Sequence, residues 1–546
     1  MNTIQQIQEA FKQQLRTVAT GDTSKIIFTL NVDERRQQFG DLSTNAALLL
    51  AQQQNQNPRE LADALAQQFK HPMIKKIVVA GPGFLNLYLT TEAYVKLLQE
   101  MLEQKEDFFK IRPTSPKNYN VEFVSANPTG PLHIGHGRGG IIGDVLGNIL
   151  KFIGHQVVKE FYINDAGSQI HKLGLSFKAR CFQALGIDMN VPEDGYQGEY
   201  LANLAQDCIK KYGKDITQKP DNFFAEYAKT KLLAEQQETL KKFGITFDVW
   251  FSENILHEHD KINEAIKILQ ERGYAYEDEQ ALWFKATAFG DDKDRVLRKS
   301  DGSWTYVASD VAYMLNKVHR GADHLIMVLG QDHHGYVDRM QGLHSALGLE
   351  KEPLEIILYQ LVSLKEAGEQ VRMSKRAGRI VSLLDVIETV GTDVARFFFL
   401  NRKADAHLEF DLDLALKKTD ENPVYYIQYA YVRINSIIKK TQEIDQLRNI
   451  TAQDAQKLTS SEHLLIKKML ALKDLLHDIS TNYHTHQLTY YALELAQAFH
   501  AYYGKNKVID LENISQSRAR LLMLTQLHTT FTLTLKLLGL SQPEKM

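Results

Sequence analysis

Residues Val121 to Leu150, VEFVSANPTGPLHIGHGRGGIIGDVLGNIL, constrain the fold more than any other stretch of the chain. The apolar run Val121–Val124 predicts a short buried strand. A turn-rich segment follows, Ser125-Ala126-Asn127-Pro128-Thr129-Gly130-Pro131, then His133-Ile134-Gly135-His136 and the glycines 137, 139 and 140. Beyond them Ile141, Ile142, Val145, Leu146, Ile149 and Leu150 recur at helical spacing, which predicts an amphipathic helix. A second apolar run, Val157–Ile163, closes a βαβ unit.

Such a turn favours an anion. A glycine-flanked helix start is expected to offer unpaired N–H groups and the positive end of a helix dipole. Glycines let a phosphate approach the backbone. Two imidazoles three residues apart can donate hydrogen bonds as charge builds on phosphate oxygens. The stretch is therefore expected to hold a nucleoside triphosphate during attack at phosphorus. A glycine-rich turn with two incidental histidines is the plainer alternative, in a chain with 19 histidines.

At 546 residues the chain is long enough for several domains, roughly three to four. Apolar content of 44% and charged content of 24% are those of an ordinary globular protein. Two cysteines, Cys181 and Cys208, are too few for a zinc cluster or a disulfide framework, and fit a reducing compartment. The N-terminus lacks the basic start and apolar core of a signal peptide, and no run is long enough to span a membrane, so a cytoplasmic location is expected. A net charge of −3 neither favours nor excludes nucleic acid.

Along the chain, residues 1–112 read as a small α+β domain, with Asn57-Pro58 as N-cap and first helical residue. A catalytic domain is expected over 113–404, interrupted by a helical insertion at about 176–290. Asn164-Asp165-Ala166-Gly167-Ser168-Gln169 sits after a strand, where α/β sheets bind ligands. Asp323–Leu329 and Leu354–Tyr359 predict the strands of a second βαβ unit, with Gly330-Gln331-Asp332-His333-His334-Gly335 between them. The loop Gly368–Gly378 carries three cations, Arg372, Lys375 and Arg376. Residues 405–546 read as an all-α bundle. Lys505 and Lys507, beside Tyr502 and Tyr503, are a weak candidate for an RNA-facing patch.

His133-Ile134-Gly135-His136 followed by Arg372-Met373-Ser374-Lys375 resembles the signature pair of class I aminoacyl-tRNA synthetases, with Arg372 in place of the first lysine of the second motif. The match narrows. GDLSTNAALLLA (40–51), AGPGFLN (80–86), VEFVSANPTGPLHIGHGR (121–138), GQDHHGYVDRM (330–340) and NPVYYIQYAYVRI (422–434) are similar to arginyl-tRNA synthetases. That resemblance implies an α/β fold: a Rossmann-type nucleotide-binding catalytic domain with a helical insertion, an additional tRNA-binding domain at the N-terminus and a helical anticodon-binding domain at the C-terminus.

It also implies two steps. The arginine carboxylate attacks the α-phosphorus of ATP, and the terminal ribose of tRNA(Arg) then takes the arginyl group. His133, His136 and Lys375 are the expected catalytic groups, with Mg²⁺ on the phosphates. The implied ATP-binding residues are Pro131, Gly135, Gly137, Gly330, Asp332, His334, Met373, Ser374 and Lys375. The implied arginine-binding residues are Glu122, Ser125, Asn127, His136, Tyr306, Asp310 and Gln331, with Asp310 pairing with the guanidinium. No metal site and no structural zinc are expected in the protein, and the family suggests a monomer.

Each residue has a plainer reading. Glu122 could be a strand-end carboxylate in an internal ion pair, Asp310 an N-cap for a helix over 311–318, Tyr306 a core residue. Asp332 could cap the next helix, and His334 could be a satisfied core histidine. Rival functions are another class I synthetase, a non-catalytic tRNA-binding paralogue and a small-molecule nucleotidyltransferase. Glu122 and Asp310 suit a cationic side chain rather than an acidic or amide one.

Overall fold

The computed structural model describes residues 2–18, 22–371 and 382–546. The chain divides into two compact units. One comprises Met1–Ile111, Lys418–Asn482 and Gln487–Met546, the other Arg112–Lys417 with Tyr483–His486.

The second unit is built on five parallel strands in the order Leu354–Tyr359, His324–Gly330, Asn118–Phe123, Gln156–Ile163, Val249–Ser252. Strand Asn118–Phe123 is central, and its residues from Tyr119 onward are buried. A central parallel strand is covered on both faces, so its polar residues Asn120 and Glu122 are buried along with its apolar ones. At its carboxyl end Val124 (φ 67°) and Ser125 (φ 40°) both take left-handed backbone conformations. That is unfavourable for a β-branched residue and marks a turn held by its surroundings.

Helix Ile134–Ile153 follows. It is buried on nearly every side rather than along one stripe. Its glycines are packing devices. A side chain at 143 would run into the Phe123 ring, and one at 139 would meet Tyr359 at 2.5 Å. Asp144 is buried in this helix between Lys159 Nζ (2.7 Å) and Arg396 Nη2 (2.6 Å). Arg396 also donates to the Phe243 carbonyl at 2.9 Å. Arg138, fully buried, donates to the carbonyls of Gln360 (2.7 Å) and Lys403 (2.9 Å).

The expected insertion over 176–290 is two excursions rather than one. Helices Ser168–Ala184, Glu199–Tyr212 and Asp221–Lys242 pack around Phe177, Cys181, Cys208 and Phe224. The chain then returns to the main sheet as edge strand Val249–Ser252 before leaving again. The second excursion carries the antiparallel sheet of Ala275–Asp278, Ala281–Phe284 and Arg295–Arg298. At the far end, Leu408–Asp411 pairs in parallel with Val362–Glu366, so this unit continues past residue 404 to Lys417.

The first unit holds a four-stranded antiparallel sheet, Phe28–Leu30, Leu42–Thr44, Phe84–Leu89 and Ile74–Ala80 in that order, and long helices from the C-terminal part of the chain. Asn57 caps its helix by accepting from the Arg59 N–H. Asp41, from the GDLSTNA stretch, accepts from Tyr94 Oη (2.8 Å), the Leu89 N–H (2.8 Å) and Lys467 Nζ (3.0 Å). It thus ties the sheet to helix Ser460–Asn482. Of the weak RNA-facing candidates, Tyr502 is buried and donates to Glu462 (2.8 Å), and Lys507 is paired with Asp510 (2.9 Å).

Candidate active site

A cavity of about 620 Å³ opens at the carboxyl ends of the parallel strands, where open α/β sheets hold ligands. The structure brings Glu122, Ser125, Asn127, His133, His136, Tyr306, Asp310, Gly330 and Asp332 to its wall. Pro131, Gly135, Gly137, Gln331 and His334 do not line it. Gly137 faces Leu383 and Phe399 instead. His334 is exposed at the start of helix His334–Leu347, so it is not a core histidine either. Met373, Ser374, Lys375 and their neighbours Arg372 and Arg376 lie outside the described residues.

The two signature histidines stack, ring centroids 3.6 Å apart. His133 is the N-cap of helix Ile134–Ile153, and its Nδ1 accepts the Gly135 N–H at 3.1 Å. His136 Nδ1 reaches back to accept the His133 N–H at 3.2 Å. This is a capping box made of imidazoles. Because both Nδ1 atoms accept, each neutral ring carries its proton on Nε2. Burial lowers both ring pKa values, that of His136 to about 3 with His133 adding to the effect. The helix start therefore offers fewer free N–H groups than expected; two are taken by the rings, and two neutral Nε2–H donors stand in their place.

Glu122 is in the internal ion pair that its plainer reading foresaw. Its Oε2 accepts from Lys317 Nζ at 2.5 Å and its Oε1 from Ser125 Oγ at 3.0 Å. Ser125 Oγ also accepts the Tyr162 N–H at 3.1 Å, which holds the left-handed turn shut.

Asp310 is not an N-cap. The helix begins at Tyr306, with Thr305 before it, and Asp310 lies one turn inside. Its Oδ2 is buried without a partner. Burial pushes its carboxyl up to about 7; a hydrogen bond from Tyr336 opposes the shift, and the nearby Glu253 and Glu122 add to it. Glu253, absent from the sequence reading, also lines the cavity, 3% exposed, and its Oε2 is unpartnered. Burial raises its pKa against hydrogen bonds from Ser309 and Tyr162. Tyr162, Tyr313 and Tyr336 supply aromatic wall around these two carboxylates. Tyr306 is half-exposed rather than core.

A desolvated carboxylate pair with open oxygens is costly unless a cation joins it. A guanidinium offers planar, forked N–H donors that match carboxylates, and its faces stack on aromatic rings. The same cavity also carries the imidazole donors. The cavity thus offers both acceptors for a cation and donors for an anion.

The sequence pattern of the family described as "tRNA synthetases class I (R), catalytic domain" matches residues 97–405. The "Arginyl tRNA synthetase N terminal domain" pattern matches 5–89 and the "DALR anticodon binding domain" pattern 427–546. The arginine–tRNA ligase of Bacillus licheniformis is 41% identical over 560 aligned residues, with all of both chains covered. The chain belongs to the arginyl-tRNA synthetase family.

The arginine–tRNA ligase of Bacillus subtilis is 40% identical, again over the full length of both chains. Two solved arginyl-tRNA synthetases share the fold: that of Thermus thermophilus (TM-score 0.75, 21% identity, 99% and 100% of the two chains covered) and that of Plasmodium falciparum (TM-score 0.76, 18% identity, all of both covered). Two of the cavity residues that sequence reading missed, Tyr336 and Arg339, fall inside the GQDHHGYVDRM block by which the family resemblance was drawn. Asn164 and Gln169 lie in the loop flagged after the second strand. Glu253 had no local signal at all.

Proposed function

We propose that the chain is an arginine–tRNA ligase that activates L-arginine with ATP and transfers it to tRNA(Arg). The observation that carries this reading is the pair of buried carboxylates, Glu253 and Asp310, each with an open oxygen, in one cavity with two histidines fixed as Nε2–H donors. Asp310 and Glu253 take the guanidinium, with Tyr306 beside them. Asn127 and Ser125 meet the main-chain end of the amino acid, and Glu122, pinned by Lys317, frames it.

The arginine carboxylate is already a nucleophile, so the first step needs placement and charge stabilisation more than proton transfer. As it bonds to the α-phosphorus and pyrophosphate departs, His133 and His136 donate to the phosphate oxygens. Gly330 and Asp332 border the nucleotide, and Lys375, with Met373 and Ser374, completes its binding. In the second step the 2′-hydroxyl of the terminal adenosine attacks the arginyl carbonyl and AMP leaves.

Among the described residues, no cluster of three His, Cys, Asp or Glu side chains is placed to hold a metal ion. In this reading magnesium enters with ATP as part of the substrate, and no structural zinc is called upon. No helix among the described residues is long and apolar enough to cross a membrane; the reading makes this a monomeric cytoplasmic enzyme.

The test is amino-acid-dependent ATP–pyrophosphate exchange across all twenty amino acids, with and without total tRNA. Exchange with arginine alone, appearing when tRNA is added, is expected. Exchange with another amino acid would overturn the pocket assignment, and a folded, tRNA-binding protein without exchange would make it a non-catalytic paralogue.

A further inference from the structure

The loop between the central strand and the histidines, Asn127-Pro128-Thr129-Gly130-Pro131, has two prolines and so lacks two backbone donors. What holds its shape comes from the first excursion. Gln236, on helix Asp221–Lys242, is 1% exposed, and its Nε2 donates to the carbonyls of Asn127 (3.0 Å) and Gly130 (2.8 Å). Tyr200, on helix Glu199–Tyr212, donates its hydroxyl to the Thr129 carbonyl at 2.6 Å. The tyrosine ring lies so close that a side chain at Gly130 would meet its Oη at 3.3 Å. Just past the loop, the Leu132 carbonyl accepts the Leu383 N–H at 2.8 Å.

Three consecutive-region carbonyls are therefore bonded by two side chains that belong to neither the sheet nor the signature helix. A buried glutamine spending both amide protons on one loop is costly to lose, since its removal leaves carbonyls without partners. Asn127 lines the cavity at one end of this loop and His133 at the other.

We propose that Tyr200 and Gln236 are positioning residues for the activation step: through the carbonyls of Asn127, Thr129 and Gly130 they set the loop that places Asn127 against the amino acid and the histidine pair against ATP. This rests on the functional reading above. Neither side chain touches a reactant. Their effect is on geometry, and a displacement of about 1 Å at a reacting group costs on the order of 100-fold in rate.

The experiment compares wild type with Tyr200→Phe, Gln236→Leu and the double variant, each full-length. Arginine-dependent pyrophosphate exchange is measured with tRNA, and backbone amide hydrogen exchange is followed over residues 125–137. Each single variant is expected to lower kcat by about 10- to 100-fold, with the arginine and ATP KM values within about threefold of wild type. Amide exchange across 125–137 is expected to quicken, and the double variant to lose less than the product of the singles. Tyr200→Phe, which removes one oxygen, keeps the test intact should Gln236→Leu fail to fold. A kcat within twofold of wild type overturns the inference, as does a fall in kcat with unchanged amide exchange. Should wild type itself lack arginine-specific exchange, the functional reading falls instead, and the amide exchange alone decides whether these two residues hold the loop.

Discussion

Lys317 Nζ lies 2.5 Å from Glu122 Oε2, both side chains almost completely buried at 2% and 5% exposure. The lysine comes from helix Tyr306–His319, which also carries Tyr306 and Asp310, and the glutamate from the central strand. One ion pair thus ties the central-strand wall of the cavity to the helix wall that carries Tyr306 and Asp310. Lys317→Met is expected to destabilise the protein by about 3–5 kcal/mol, because it leaves a carboxylate buried and uncompensated. Urea denaturation checks this. Combining it with Glu122→Gln should recover much of the loss, and additive losses would show that the pair is not the cause.

With arginine held at Asp310 as proposed, the carboxyl that burial pushes up to about 7 is expected to make arginine affinity pH-dependent. A guanidinium binds the ionised form, so affinity is full above pH 7 and falls as pH drops below it. The arginine KM is expected to rise about tenfold per pH unit below 7 while the ATP KM stays level. In the ligand-free protein the sign reverses. A raised carboxyl pKa contributes stability below its unfolded value of about 4 and loses it as pH climbs to 7. Asp310→Asn should flatten both profiles, with a uniformly high arginine KM. A wild-type arginine KM that is level from pH 5.5 to 8 would remove Asp310 from the guanidinium site.

His136, lowered to about 3, stays neutral throughout the working range. Activity between pH 6 and 8 should therefore show no limb from its ionisation. His136→Ala is expected to lower kcat by on the order of 100- to 1000-fold with little change in ATP KM, the signature of a donor used only as charge builds. Steady-state kinetics of exchange decides it, and a rise in KM without a fall in kcat would recast His136 as a ground-state contact.

Gly143 packs against the Phe123 ring so closely that no side chain fits between them. Gly143→Ala gains about 1 kcal/mol of helix propensity and loses about 1–3 kcal/mol to overpacking. The net expectation is a lowered melting temperature, read by circular dichroism. A raised one would mean that the sheet and helix can part at no cost.

Asp144 is shared by Lys159 and Arg396 with almost no solvent. Asp144→Ala removes the shared carboxylate of two buried cations and is expected to cost about 3–5 kcal/mol. Chemical denaturation against Asp144→Asn, which keeps the acceptor oxygen, separates lost charge from lost volume.

Much of this architecture was legible because its signals are local. Strands at 324–330 and 354–359 are apolar runs between turn residues, and the histidines sit at a strand–turn–helix junction rich in glycine. What escaped notice was set by tertiary packing. Val249–Ser252 is a four-residue strand, too short for any period to register, so the two excursions read as one. Glu253 immediately follows that strand, and an isolated acidic residue next to an unseen edge carries no signal. The free N–H groups expected at the helix start are partly spoken for because the histidine side chains fold back on them, which spacing does not reveal. Asp310 looked like a helix cap because the four residues before it include the aromatic and small ones that mask a helix start.

The cap made of His133 and His136 has one more implication. Helix caps are usually interchangeable, since serine, threonine, aspartate and asparagine all accept the same N–H. In the reaction proposed above, the accepting atoms belong to the rings whose Nε2–H groups meet the phosphate. Natural selection on catalysis and selection on folding therefore act on the same two side chains. A survey that scored variants only for thermal tolerance, with no substrate in the tube, should still single out positions 133 and 136.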